Sequence, residues 1–437
     1  MREQYGFAQL MQRFGGIIEN IVRLRQHPTE PQFAIGMSSL GNLTLTLPNV
    51  NDRSGRIRFD ATIGGGAADV RADIAWMKAL AEGVERYCTL VLSDDDTILA
   101  SAKELGDLAL DLDSLPRMSA REYADPKCPF REPDKLAPIR WVRGYSLTHE
   151  RIRYVPAVMT HIFTNPGPSE LFWSEISTGV AAHTDFATAA VSAICEVVER
   201  DAIALTWLAR LPLARIEIDV PLLSAELAQN LAMQRATNLR QLYFDATTDL
   251  GIPTVYSLQL MDGSPNLAQS VACATAPRFE EAIAKTIREA TPVRSAIGQR
   301  PSLPEDVEDF VELHHGAAYL GRPELRHAFD FLLDSSRRVG LSSLKNELSS
   351  VRSSQLCEII QRLRNAGMEA VLVDLTTQEV RSTGLWVLRV VIPQLMPMSC
   401  VQAGRYLGHA RLFQYPERAG FEPLVERDVN PFPQPFA

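Results

Sequence analysis

The sequence lacks most of the features that announce a function. Its six cysteines, Cys88, Cys128, Cys195, Cys273, Cys357 and Cys400, are scattered and never form C-x-x-C. That argues against a zinc site and a disulfide framework, and fits a reducing cytosol. No G-x-x-x-x-G-K-[ST] loop is present, and Gly64-Gly65-Gly66-Ala67-Ala68-Asp69 lacks the third glycine of a dinucleotide fingerprint. Neither H-E-x-x-H nor G-x-S-x-G occurs. The N-terminus has no apolar run resembling a signal peptide. The most apolar stretch, 384–401, is interrupted by Arg389 and Pro393 and reads as core strand and loop. Excess positive charge is missing too. At a net charge of −9, no general basic field draws nucleic acid or an anionic membrane, although a local basic groove stays open.

What remains is an ordinary globular composition: 437 residues, 46% apolar and 22% charged. That is two to three domain lengths, or one large fold, and enough chain to build a core without staples. The spacing of Leu10, Met11, Phe14, Ile17, Ile18, Ile21 and Val22 reads as an amphipathic helix. Strands are expected at 43–47, 57–61, 369–375 and 385–393, helices at 280–298, 324–339 and 353–366, a connector at 94–135 and a loop at 300–323. The expected class is α+β, a mixed α/β arrangement.

Two stretches resemble each other. Each has a glycine loop followed by a helical pattern carrying Glu-x-Val-Glu-Arg: Glu82, Glu85 and Arg86 in the first, Glu196, Glu199 and Arg200 in the second. The loop-to-glutamate distance is 16 residues from Gly66 to Glu82 and 17 from Gly179 to Glu196. Positions i, i+3 and i+4 share a helix face, so each triad projects together beside the apolar stripe. Packed pseudo-symmetrically, four carboxylates and two guanidiniums converge, which is costly unless compensated. Magnesium neutralises such carboxylates with hard oxygen ligation, and a triphosphate satisfies the arginines. The plain alternative is two solvated helix faces with internal salt bridges. The glycines read either as close backbone approach to phosphate at a helix N-terminus or as ordinary tight turns.

These motifs resemble the YcaO family. Gly64-Gly65-Gly66 through Lys78 to Tyr87 is similar to its first ATP motif. Ser177-Thr178-Gly179 through Glu196-Val197-Val198-Glu199-Arg200-Asp201 is similar to its second, and Ala282 to Arg294 to its third helix. The resemblance implies a YcaO-type fold whose duplicated strand–glycine-loop–helix units surround ATP and Mg²⁺. Glu82, Glu85, Glu196 and Glu199 would be metal ligands. Gly65, Gly66, Lys78, Arg86, Ser177, Thr178, Gly179, Arg200 and Arg294 would contact the nucleotide. There are departures: Lys78 and Thr188 stand where many members have Ser and Glu, and Pro292 replaces the usual Gln.

The ending, Pro431-x-Pro433-x-Pro435, matches that of azoline-forming YcaO cyclodehydratases, the type that makes thiazole/oxazole-modified microcins. Spaced prolines stiffen a polyproline II segment, which can present Ala437 to a cleft; a disordered tail or a ligand for a proline-binding domain is the alternative. The implied divisions are 1–55, an N-terminal partner-contacting segment; 56–420, the catalytic domain; and 421–437, a tail entering the active site. The implied activity is ATP-dependent cyclodehydration of Cys, Ser or Thr in a ribosomal precursor peptide, with the Ala437 carboxylate as general base. Implied partners are an E1-like or leader-recognition protein, since little chain precedes the first motif, a flavin dehydrogenase and a second copy of the chain, with no nucleic acid or membrane. A thioamide- or amidine-forming YcaO enzyme, or a non-catalytic nucleotide-binding scaffold, are the alternatives.

Overall fold

A computed structural model of the chain describes residues 6–12, 16–41, 43, 47–50, 64–264, 267–298, 302–345 and 347–436. The strand expected at 57–61, the middle of that at 43–47, and Ala437 lie outside these residues. The strands are β1 (Asn20–Leu24), β2 (Ala34–Ser39), β3 (Gly66–Asp69), β4 (Thr97–Ala100), β5 (Ile139–Ser146), β6 (Arg151–Pro156), β7 (Val180–His183), β8 (Ala214–Glu217), β9 (Arg240–Asp245), β10 (Thr254–Leu260), β11 (Gln269–Thr275), β12 (Arg338–Gly340), β13 (Val371–Asp374) and β14 (Trp386–Val391). The longer helices are α1 (Ala72–Leu90), α2 (Phe186–Leu208), α3 (Ala225–Arg235), α4 (Phe279–Ile297), α5 (Leu313–Leu320), α6 (Arg352–Asn365) and α7 (Ala410–Arg418).

Three sheets organise the chain. Their orders are β1-β2-β3, β4-β5-β13-β14-β7 with β6 beside β5, and β11-β10-β9-β8-β12. In each, one edge strand (β3, β7 or β11) leads after a short turn into a long helix (α1, α2 or α4). Each helix packs on its own edge strand and also on another unit's: α1 on β3 and β7, α2 on β7 and β11, α4 on β11 and β3. The three units thus close a ring. α2 is apolar on nearly every side, with Ile194, Val198, Ala202, Leu205 and Trp207 all buried. That pattern belongs to a helix enclosed by structure rather than facing water.

The repeat is closer than the sequence spacing implied. A displacement of 114 residues carries Gly65 onto Gly179, Ala68 onto Ala182, Glu82 onto Glu196 and Arg86 onto Arg200. The Gly65 carbonyl accepts from Ser38 N–H at 2.8 Å, as the Gly179 carbonyl does from Val390 N–H at 2.8 Å. Gly65, not Gly66, is therefore the counterpart of Gly179, and both distances to glutamate are 17 residues. A displacement of 93 residues carries Ala182 onto Thr275 and Glu196 onto Glu289, so β11–α4 is a third copy that the sequence reading missed.

Other expectations are corrected. Residues 20–24 form β1, not a helix, because β2 supplies a ladder for them. Residues 94–135 are more than a connector, since Leu110, Leu112, Leu115 and Met118 enter the core. The stretch 300–323 contains α5, and 324–339 breaks into 3-10 turns, one short helical turn and β12. The strands around 371 and 386 and the helix at 352 form near their expected places. No described helix is long and apolar enough to cross a membrane, and all six cysteines are free.

The glycine loops are held at fixed backbone distance. Gly179 has φ +82°, and a Cβ there would lie 2.5 Å from the Val390 carbonyl oxygen. Gly106 also has positive φ, +54°, but open space around it. Gly179→Ala should therefore lower unfolding stability by about 2–3 kcal/mol and Gly106→Ala by about 1 kcal/mol, measured by urea denaturation. Equal losses would mean the Val390 contact carries no weight.

Candidate active site

The ring brings one face of α1, α2 and α4 together. Glu82 and Glu85 on α1 lie close enough to Glu196 on α2 for their charges to repel. Glu85 Oε1 accepts from Ala182 N–H on β7 at 2.6 Å, and Glu199 Oε2 from Thr275 N–H on β11 at 3.0 Å. These are equivalent donors and equivalent acceptors under the repeat. An edge strand leaves one row of N–H groups without a ladder partner, and here part of that row is satisfied by the helix of another unit. The third such bond is missing because Pro292 stands at the position of Glu85 and Glu199.

Electrostatics mark the cluster. Burial, aided by repulsion from Glu82 and Glu196, pushes the Glu85 carboxyl up to about 8. Burial also raises Glu82, against the pull of Arg86 and the Gly66 N–H. Such groups prefer a proton unless a cation replaces it. Arg86 reaches Glu82 at 3.3 Å, and Arg200 reaches Glu196 at 3.3 Å and Glu199 at 2.7 Å. From α4, Lys285 reaches Glu199 at 3.2 Å and Glu289 at 3.6 Å. Burial opposes the charge of Lys285, but Glu199, Glu289 and Glu196 outweigh it and raise its pKa.

Glu289 and Lys285 were not among the site residues expected from sequence. The signal was the 14-residue step from strand to glutamate, shared by Ala68–Glu82, Ala182–Glu196 and Thr275–Glu289. Burial raises the Glu289 carboxyl, with further repulsion from Glu199. Two expected residues stand apart. Lys78 pairs with Asp69 at 2.7 Å and is half exposed. Arg294 is not at the cluster: it forms a bidentate pair with Glu30 at 2.7 and 2.8 Å and donates to Ser270 Oγ at 3.1 Å. It faces a cavity of about 620 Å³ that His27, Asp262 and Leu267 also line. Its charge is already spent on Glu30, which local sequence pattern cannot reveal.

Ser177 and Gly179 form the turn before β7, and Thr178 lines a narrow cleft with Arg200. Asp201, part of the second motif, is fully buried. It takes two 2.7 Å bonds from Arg411 and one of 2.9 Å from Met396 N–H. It thereby fastens the 395–397 wall of the cleft to α2.

The proline-rich tail is seated, not loose. Trp207 Nε1 donates to the Phe432 carbonyl at 3.3 Å and Gln402 to the Pro431 carbonyl at 3.1 Å. Pro433, Pro435 and Phe436 are buried while Pro431 is exposed. The Gln434 backbone crosses α5 at Gly316, where a Cβ would lie 1.9 Å from the Gln434 carbonyl oxygen. Phe436 stacks edge-on against Tyr256 at 5.3 Å. Tyr256 pairs across the sheet with Cys273, which senses Glu199 and Arg200. The described tail thus ends on the Glu199–Arg200 side of the ring.

The donor set has the chemistry a hard divalent cation takes, although among the described residues no three of these carboxylates bring their oxygens within 4.8 Å of one another. Glutamates from three helices supply only oxygen, burial raises Glu82, Glu85 and Glu289 despite the nearby cations, and none is replaced by sulfur or imidazole. With the Glu85 carboxyl pushed up to about 8, a divalent cation held there would compete with its proton below that pH and not above it. In the magnesium-free chain this raised carboxyl weakens folding as pH climbs from its unfolded value near 4.5 through 8, since the unfolded state gives the proton up first. Magnesium should therefore raise the thermal midpoint more above pH 8 than near pH 6, and Glu85→Gln should abolish that difference. A magnesium shift independent of pH would contradict it.

Comparison with known proteins finds a match to the family described as YcaO cyclodehydratase, ATP- and Mg²⁺-binding, over residues 66–396. No curated protein matches by sequence. Among solved structures, a heterocyclase in complex with substrate and cofactor superposes with a TM-score of 0.82 at 21% identity, covering 100% of this chain and 56% of that one. The present chain thus spans little more than half the length of that heterocyclase. YcaO from Methanopyrus kandleri, bound with AMPPCP and Mg²⁺, gives 0.63 at 16% identity, covering 92% and 91%. The E. coli microcin synthetase McbBCD complex with pro-MccB17 bound gives 0.61 at 14% identity, covering 98% of both chains.

Proposed function

The chain belongs to the YcaO cyclodehydratase family, and on that footing we propose that it is an ATP-dependent cyclodehydratase forming azolines on a ribosomally made precursor peptide. The family binds ATP and Mg²⁺. The observation that carries the reading is the convergence of Glu82, Glu85, Glu196, Glu199 and Glu289 from three helices.

In the proposed reaction a Cys, Ser or Thr side chain of the peptide attacks the preceding amide carbonyl. The resulting oxyanion takes the γ-phosphoryl of ATP, and phosphate then leaves with the former amide oxygen. The products are an azoline, ADP and phosphate. Magnesium, when bound, supplies charge neutralisation for phosphate oxygens. The glutamates would hold it, and Lys285, Arg86 and Arg200 present positive charge on the same face for the nucleotide's phosphates. The 395–397 segment forms one wall of the cleft. The tail's last residue, Ala437, is proposed to meet the peptide.

A relative of this fold was solved with a precursor and companion subunits. By analogy we propose that this chain works with a leader-recognition protein, and with a dehydrogenase where azolines are oxidised, in the cytoplasm and as a homodimer. The N-terminal strands β1 and β2 share a sheet with β3, so a partner docked there would act directly on the first motif.

Phosphate release and ring formation, each ring lowering peptide mass by one water, test the reading with peptide and partner present. Glu82→Ala and Glu196→Ala should each reduce both by about 10²–10³-fold. Gly316→Ala, which displaces the tail at Gln434, should reduce ring formation about tenfold or more while leaving nucleotide binding intact. Phosphate release unaffected by either glutamate change would remove the activity from this site.

A further inference from the structure

Arg389 lies on β14 and is 2% exposed. Three other buried arginines, Arg153, Arg294 and Arg411, each hold a carboxylate. Arg389 does not: among the described residues its bonds go to the carbonyl oxygens of Ile176 at 2.8 Å and Thr160 at 3.4 Å, and its Nε has no partner. Burial, with repulsion from Arg86, pushes it down to about 10 against the pull of Glu196 and Glu175, so it still carries its charge. A buried cation with no directly bonded anion is expensive. The repeat gives no structural demand for it. Met37 faces Gly66, Arg389 faces Val180 and Tyr256 faces Cys273 at equivalent cross-strand positions, and the first and third units use no cation there.

Arg389 lines the narrow cleft with Trp173, Thr178 and Arg200. Among the described residues Trp173 Nε1 and Arg200 Nε are also buried donors without a partner. Three unpaired donors, two of them on cations, line one cleft, and buried donors are rarely left unmatched. They call for a ligand that only accepts and is negative. A phosphoryl group is such a ligand; a peptide amide, which also donates, is not. One side of the cleft borders Glu196. The other is the 395–397 wall, whose Met396 shares a core cluster with Phe436 of the tail. A phosphate placed there would stand between Glu196, which pairs with Arg200, and the wall that shares a core cluster with the tail.

We propose that Arg389, with Trp173 and the Nε edge of Arg200, grips the terminal phosphoryl group of the nucleotide. The proposal rests on the nucleotide reading of the ring above. It separates the terminal phosphate from the inner two, which face the cations of α1, α2 and α4.

The test compares equilibrium binding of Mg²⁺·AMPPCP and Mg²⁺·ADP to the full chain and its variants. Arg389→Gln should weaken AMPPCP by about tenfold or more and ADP by less than about twofold. Arg389→Lys should recover part of that loss. Trp173→Phe, which keeps the ring and removes one donor, should give a smaller loss confined to AMPPCP, and it carries the test alone if Arg389→Gln does not fold. Equal losses for both nucleotides, or no loss for either, would overturn the proposal while leaving the nucleotide site in place. Failure of the unaltered chain to bind either nucleotide would overturn the site reading and this proposal together.

Discussion

The architecture depends on one recurring hydrogen bond: the edge strand of one unit donates a backbone N–H to a carboxylate on the helix of another. Ala182 gives it to Glu85 and Thr275 to Glu199. Each bond satisfies a strand edge that would otherwise lie open and fixes a glutamate that would otherwise drift from its like-charged neighbours. Where the carboxylate is ionised the bond is charge-assisted, roughly twice as strong as a neutral one. It welds the three units where their charges repel most.

That arrangement makes the site a cluster of buried carboxyl groups that prefer a proton until a cation takes its place. Carboxylates raised by burial and mutual repulsion make the empty ring less stable than apolar packing would. The same repulsion becomes affinity when a divalent cation arrives, because the cation relieves what the fold imposes. Stability has been placed elsewhere to compensate. The fully buried Asp201–Arg411 pair ties α7 to α2, and the apolar surface of α2 packs against two sheets. Binding and folding are thus coupled through α2, which carries buried Glu199 and the partly exposed Glu196 and Arg200 on the face it turns to α1 and α4.

Much of the site was legible in the sequence because repeated chemistry needs repeated letters. Glu-x-x-Glu-Arg after a glycine loop occurs twice, and both copies fold as strand, turn and helix. The third copy was hidden because Pro292 and Val293 replaced the second glutamate and the arginine, leaving only Glu289 at the common step. Residues 20–24 carried apolar spacing compatible with either period, and only the partner strand β2 decided between them. Arg294 looked like its motif neighbours, yet Glu30, far away in sequence, claims it. Arg389 was visible from the start as a charge interrupting an apolar run. Local pattern could not show that no carboxylate awaits it. The seating of Pro433 and Pro435 likewise follows from Gly316, whose missing side chain makes room on another helix.

Anomalous diffraction from a crystal of the chain soaked with Mn²⁺ and AMPPCP tests the central claim most directly. The account places metal peaks between α1, α2 and α4, within coordination distance of Glu82, Glu196 and Glu289. Peaks elsewhere, with those three side chains turned apart, would contradict it.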